Sequence, residues 1–266
     1  MERIRTERKF GLGGSTLRIW GLIVLAIGFV GRIIGGTVTK QLYDTVENFA
    51  TMTLNQRLDV LQEYPELMSK TALHMLLLAF ESCAAPIFAC LLIQGFQHTA
   101  DLKKYAMTIA GTALVCEIPF DYFTTGSVIN LGNQNPVFGL LIALCLLYFY
   151  QRYDDRSAKN MAIKFLLMAA GLVWAYMLML DAAAAAFIII TCFMWEFRAT
   201  ARSRTLAGIL GALLAGLVSA YFLLSPFGFF VVHFYNGQKG NISKPIRYLS
   251  YPIIMVIVGF ATVYFL

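Results

Sequence analysis

Five ionisable side chains stand where the sequence tolerates charge least: Arg32, Glu81, Glu117, Asp121 and Asp181 each fall inside, or at the end of, a long apolar run. At the centre of a bilayer each such charge costs roughly 2.5–3.5 kcal/mol on insertion scales, so these residues are expected to turn inward and find partners. A helical rise of about 1.5 Å per residue puts Glu81 near the middle of its run, Arg32, Glu117 and Asp121 in the distal halves of theirs, and Asp181 at a run end. The expected arrangement is one polar cluster in the outer half of a bundle, with Arg32 as counter-charge to Glu81 or to the Glu117/Asp121 pair. Pro86 and Pro119 each remove a helical hydrogen bond, and the resulting kinks would open room for it. Such a cluster can be an ion-pair network that fixes helix register, or it can line a substrate cavity or an ion path.

Other chemistries find less support. His74, His98 and His233 fall near run ends or in a turn, away from the carboxylates, and only His98 is kept as a candidate base. Cys83, Cys90, Cys116, Cys145 and Cys192 lie in apolar runs without a C-x-x-C spacing, which predicts buried, reduced packing residues and no metal site.

The elements that must hold these residues follow from composition. The chain is 59% hydrophobic, more than a soluble domain can hide. Expected spans are roughly 16–36, 71–95, 105–122, 136–150, 162–180, 182–197, 205–224, a short run 226–235, and 248–266, giving an all-α polytopic bundle of about eight or nine spans in a single domain, 1–266. The first run is read as a retained helix, since it has the length of a span and lacks a cleavage site. The net charge of +6 concentrates in the leader MERIRTERK and in HTADLKK, QRYDDRSAK, RATARSR and NGQKGNISKPIR. That pattern predicts a cytoplasmic N-terminus and excludes a nucleic-acid stripe.

Residues 37–70 would then be an external insert, with Lys40, Arg57 and Lys70 outnumbered by Asp44, Glu47, Asp59, Glu63 and Glu66. Leu54, Leu58 and Leu61 recur at helical spacing, so the insert is expected to be an amphipathic helix, either a lid on its own bundle or a docking surface for other membrane or extracytoplasmic subunits. Gly21, Gly28, Gly31 and Gly35 share one face of the first helix, and Gly208, Ala212 and Gly216 repeat the pattern, which predicts close backbone approach in lipid. The run after Asp181, beginning AAAAA, should pack closely too. SPFG interrupts 205–235, so one helix followed by a re-entrant segment or a short second helix is expected there. The sequon at Asn241 falls in a loop assigned to the cytoplasmic side and is read as chance.

The order PIFACLLIQGFQHT, EIPFD, FYNGQKG and IRYLSYP resembles the TraX family of bacterial membrane proteins, named for a conjugation protein that acetylates the N-terminus of pilin. The resemblance implies a multi-pass protein of the bacterial cytoplasmic membrane, and acyl transfer from acetyl-CoA or another acyl-CoA to a protein N-terminus or glycan. It also implies an Asp-His pair late in the first helix, in a segment ending DHIG, where imidazole would serve as base. Here that segment reads AIGFVG, which puts Gly28 and Phe29 at those positions. Gln94 stands for a glutamate, Glu81-Ser82 for a Gly-Arg, and Ile254 for a histidine.

The expectation is therefore a TraX-like protein that lacks the family chemistry and serves as a structural or accessory subunit, with Phe29 plugging the old cavity beside EIPFD. An active acyltransferase with a rearranged site, in which Lys103 and Lys104 meet acyl-CoA phosphates, is the alternative. A carboxylate-lined transporter is a second one.

Overall fold

The computed structural model describes residues 11–46, 48–238 and 240–265. Its helices are α1 (Gly14–Thr45), α2 (Leu54–Glu63), α3 (Pro65–Glu81), α4 (Ala84–His98), α5 (Leu102–Thr125), α6 (Val137–Tyr150), α7 (Ala158–Met177), α8 (Ala182–Glu196), α9 (Ala201–Val218), α10 (Gly228–His233) and α11 (Lys244–Phe265). A 3₁₀ stretch, Ala220–Phe227, leads into α10. Among the described residues there is no strand, and the protein is an all-α membrane protein. Four stretches are long and apolar enough to cross a bilayer: Gly14–Thr45, Pro65–His98, Ala158–Met177 and Pro245–Tyr264.

The shorter apolar helices have a different place. At about 1.5 Å per residue α8 falls short of a ~30 Å hydrocarbon core. It is apolar on every side, and Ala184, Ile188, Ile190, Cys192, Met194 and Trp195 are all buried. A helix apolar all round belongs inside a bundle, and α4, α6, α7 and α9 pack around this one. Its small first turn fits this: a Cβ on Gly139 of α6 would lie 2.7 Å from that of Ala184.

Small residues also seat α1. A Cβ would lie 2.7 Å from the Phe88 ring at Gly21, 2.7 Å from Leu77 Cβ at Gly31 and 2.5 Å from the His74 ring at Gly35. With no side chains at these positions, α1 lies directly on α3 and α4, where dispersion supplies the attraction that the hydrophobic effect cannot provide in lipid.

Contacts between the connectors define two ends. At the leader end Leu12 pairs with Tyr235, Gly14 N–H donates to Gln238 C=O, and Arg198 bridges to Asp154 at 3.0 Å. The HT turn joins them through Phe96, whose ring meets Trp195 edge-on. At the distal end Gln134 pairs with Leu180. Thus the segments that carry the basic clusters share one end, although Lys239 and residues 1–10 lie outside the described residues.

Several expectations need correction. The first helix runs on to Thr45, because Ile34, Val38 and Leu42 continue its apolar face and meet Phe49 and Leu67 in a small separate core. The third helix begins at Pro65, which leaves α2 as the helix between them, started by a Thr53–Gln56 capping box. Its inward face carries Leu61 of the expected stripe together with Val60, whereas Leu58 is exposed; the side chain of Leu54, and Glu47 as a whole, lie outside the described residues. Pro86 does not kink a helix. The chain breaks at Ser82-Cys83, and Pro86 sits in the first turn of α4, where a missing N–H matters little. Cys145 is exposed on α6, not buried.

Candidate functional site

The break between α3 and α4 positions the site. Glu81 ends α3 and turns toward Gly28 of α1, where a Cβ would meet Glu81 Cγ at 2.3 Å. Arg32, one helical turn along α1 from Gly28, donates from Nε to Glu81 Oε2 at 3.0 Å and Oε1 at 3.2 Å. Its Nη1 donates to Asp181 Oδ2. Asp181 is the N-cap of α8, accepting from Ala183 N–H at 3.3 Å, rather than a cap on the preceding helix. The Arg32 side chain is 11% exposed and Glu81 8%. Two carboxylates held by one guanidinium leave a formal charge of −1, and both are already engaged in charge-assisted hydrogen bonds.

The expected single cluster is in fact two. Glu117 and Asp121 are one turn apart on α5 and face the 126–136 connector, not Arg32. Asn135 N–H and its side-chain amide both donate to Glu117 Oε2, and Asn130 N–H donates to Asp121 Oδ2 at 2.6 Å. The physical reason lies in the connector, whose backbone donors need acceptors away from water. Arg32 reaches EIPFD only through the ring of Phe120, with its guanidinium carbon 5.9 Å from the centroid.

Histidine needs a correction as well. His74 Nδ1 lies 2.7 Å from Gly31 C=O; a carbonyl only accepts, so that nitrogen carries the proton and Nε2 is the free one. The ring packs against Gly31 and Gly35, on the same stretch of α1 as Arg32. Sequence spacing gave no hint, because only the glycine face of α1 brings the two helices so close. His98 is spent on its own helix, with Nδ1 2.8 Å from Gln94 C=O. Gln94 is buried, Ile254 is half-buried on α11, and Lys103 and Lys104 lie in the exposed first turn of α5.

A cavity of about 240 Å³ extends from Arg32, Glu81 and Asp181 toward the leader end, where Arg18, Tyr105 and Arg247 line it. Its waist is apolar, with Leu22, Leu25, Phe88 and Leu91. Tyr251, noticeable in the sequence only as part of IRYLSYP, lines it beside the Arg32 cluster. Phe29 lies off it. It is 1% exposed and meets Phe123, just past EIPFD, edge-on at 6.2 Å between centroids. The aromatic packing expected of Phe29 is present, but it does not fill the cavity, because the ring points between α1 and α5.

Against this geometry, the family model described as TraX protein matches residues 58–261. This chain belongs to the TraX family. The match takes in α3 to α10, nearly all of α11, and with them Glu81, Asp181, Arg247 and Tyr251. Gly28, Phe29, Arg18 and Arg32 lie before it, on α1. No curated protein and no solved structure matches the chain.

Proposed function

We propose that this TraX-family protein keeps a ligand cavity but lacks the base for acyl transfer, and that it works by binding, as a non-catalytic subunit of a bacterial cytoplasmic-membrane assembly. The observation that carries this reading is the state of the ionisable groups at the cavity's distal end. Both carboxylates there are tied to Arg32, and the position that the resemblance assigns to the imidazole is a phenylalanine packed away from the cavity. A positioned base is worth about 10²–10⁴ in rate, and a carboxylate held by a guanidinium is a poor substitute. The basic leader end faces the cytoplasm on the positive-inside rule. The opposite end, with α2, is left for partner subunits.

A second reading has its own observation. Glu81 occupies the space next to Gly28 that a side chain at position 28 would need, so a carboxylate is delivered to that spot from α3 instead of α1. A rearranged acyltransferase would use it. The test incubates membranes with labelled acetyl-CoA and scores labelled protein or glycan against a deletion strain. Binding without turnover predicts no label from the wild type. Label that depends on Glu81 would overturn that reading in favour of the second.

A further inference from the structure

The leader end of the cavity is lined by two arginines. Arg18 lies in the second turn of α1 and Arg247 in the first turn of α11, and both line the cavity with Tyr105 and Tyr248. Arg18 Nη1 donates to the backbone C=O of Arg247 at 2.8 Å, and Arg247 Nη2 donates to Ile242 C=O at 3.0 Å. Among the described residues neither arginine has a carboxylate within ion-pair distance. Two half-buried like charges repel, so holding them together without a counter-ion costs stability unless an anion completes the set. Guanidinium forks and phenol hydroxyls are the donors that suit phosphate oxygens.

The rest of the cavity restricts what the anion belongs to. Arg18 and Arg32 are separated by fourteen residues of α1, or about 21 Å along the axis. Between them the walls are Leu22, Leu25, Phe88 and Leu91. Such a path rewards an apolar chain and offers a free inorganic ion nothing beyond the arginines. Room for the tyrosine is built in as well: Gly95 lies against Tyr105, where a Cβ would come within 2.4 Å of the hydroxyl.

We propose that Arg18 and Arg247 bind the phosphate of an elongated amphiphile whose apolar chain lies along the cavity toward Arg32. This names a ligand class for the binding reading above. It is tested at equilibrium, without turnover, so it can fail while the reading on catalysis stands, and the reverse.

The test uses the purified full-length protein in detergent, with native mass spectrometry and thermal shift as readouts. Probes are oleoyl lysophosphatidic acid, oleoyl-CoA, inorganic phosphate and uncharged monoolein. Binding of either phosphate-bearing chain is expected, weakened at least tenfold in Arg18→Gln and in Arg247→Gln, and unchanged in Arg152→Gln, whose guanidinium sits over the Tyr148 ring outside the cavity. Preference for the lysolipid assigns the phosphate to a membrane lipid, and preference for oleoyl-CoA assigns it to a soluble thioester; either supports the site. Should the glutamine variants fail to fold, Arg18→Lys is expected to retain binding, and Leu25→Trp to abolish binding of the apolar chain by filling the waist. The proposal is overturned if monoolein binds as well as the phosphate-bearing chains, if both glutamine variants bind like the wild type, or if inorganic phosphate alone binds.

Discussion

Replacing Gly28 with alanine adds a single methyl group, yet it should be among the most damaging small changes in the protein. The new Cβ would lie 2.3 Å from Glu81 Cβ and Cγ and 2.5 Å from its Cδ, closer than real carbon atoms approach. Glu81 must leave, and with it go two hydrogen bonds to Arg32. Overpacking a dense contact costs about 1–3 kcal/mol. Breaking a buried ion pair costs about 3–5 kcal/mol, less here because Arg32 keeps Asp181. These are one event, since the clash is what displaces the carboxylate, and alanine's better helix propensity returns up to about 1 kcal/mol. A net loss of about 2–4 kcal/mol remains, which corresponds to a fall in Tm of about 5–15 °C for a protein of this size. Gly111 on α5 is the control, because a Cβ there meets nothing within 4 Å, so Gly111→Ala should hold or raise the Tm. Relieving the clash takes Gly28→Ala with Glu81→Gly, which should recover only part of the loss because the hydrogen bonds to Arg32 stay broken. Glu81→Ala would leave the offending Cβ in place. Thermal melts of the three proteins in detergent decide the matter, and if Gly28→Ala melts with Gly111→Ala the account of the α1–α3 contact is wrong.

The Lys164–Glu196 pair, 2.6 Å apart with both side chains under a tenth exposed, should cost about 3–5 kcal/mol when broken by Glu196→Ala, whereas Lys164→Met with Glu196→Leu should melt near the wild type. Asn135→Ala removes the side-chain amide that donates to Glu117 and to Ala113 C=O, leaving only the backbone N–H on Glu117, so it should destabilise by about 1–3 kcal/mol and speed amide exchange in residues 126–136 before the rest of the bundle. Asp155, in the α6–α7 connector, is held below the usual carboxylate range by the side-chain hydroxyl and then the backbone N–H of Ser157. A depressed value means its stabilisation is present above the unfolded carboxylate range and is lost as pH falls through the folded value. Asp155→Ala should therefore lower the melting temperature at neutral pH, where that stabilisation is present, and converge with the wild type as pH falls, which flattens the acid side of the profile.

How far the sequence reaches can be seen in particular residues. The glycine face of α1, the helical class, the interruption at SPFG and the need of Arg32 for a counter-charge all follow from local pattern, because a bilayer penalises exposed polar groups and rewards small residues at helix contacts so strongly that few arrangements remain. The choice among partners is not local. Glu81, Glu117, Asp121 and Asp181 look alike as carboxylates in apolar runs, and only the packing of α3, α5 and α8 around α1 assigns two of them to Arg32 and two to a loop. The cavity is less legible still. Arg18 and Arg247 are 229 positions apart, and each reads alone as one more basic residue at a span end. They become a site when α1 and α11 close on the same space, since charge recognition falls off over a few ångströms and sequence distance carries no information about that separation.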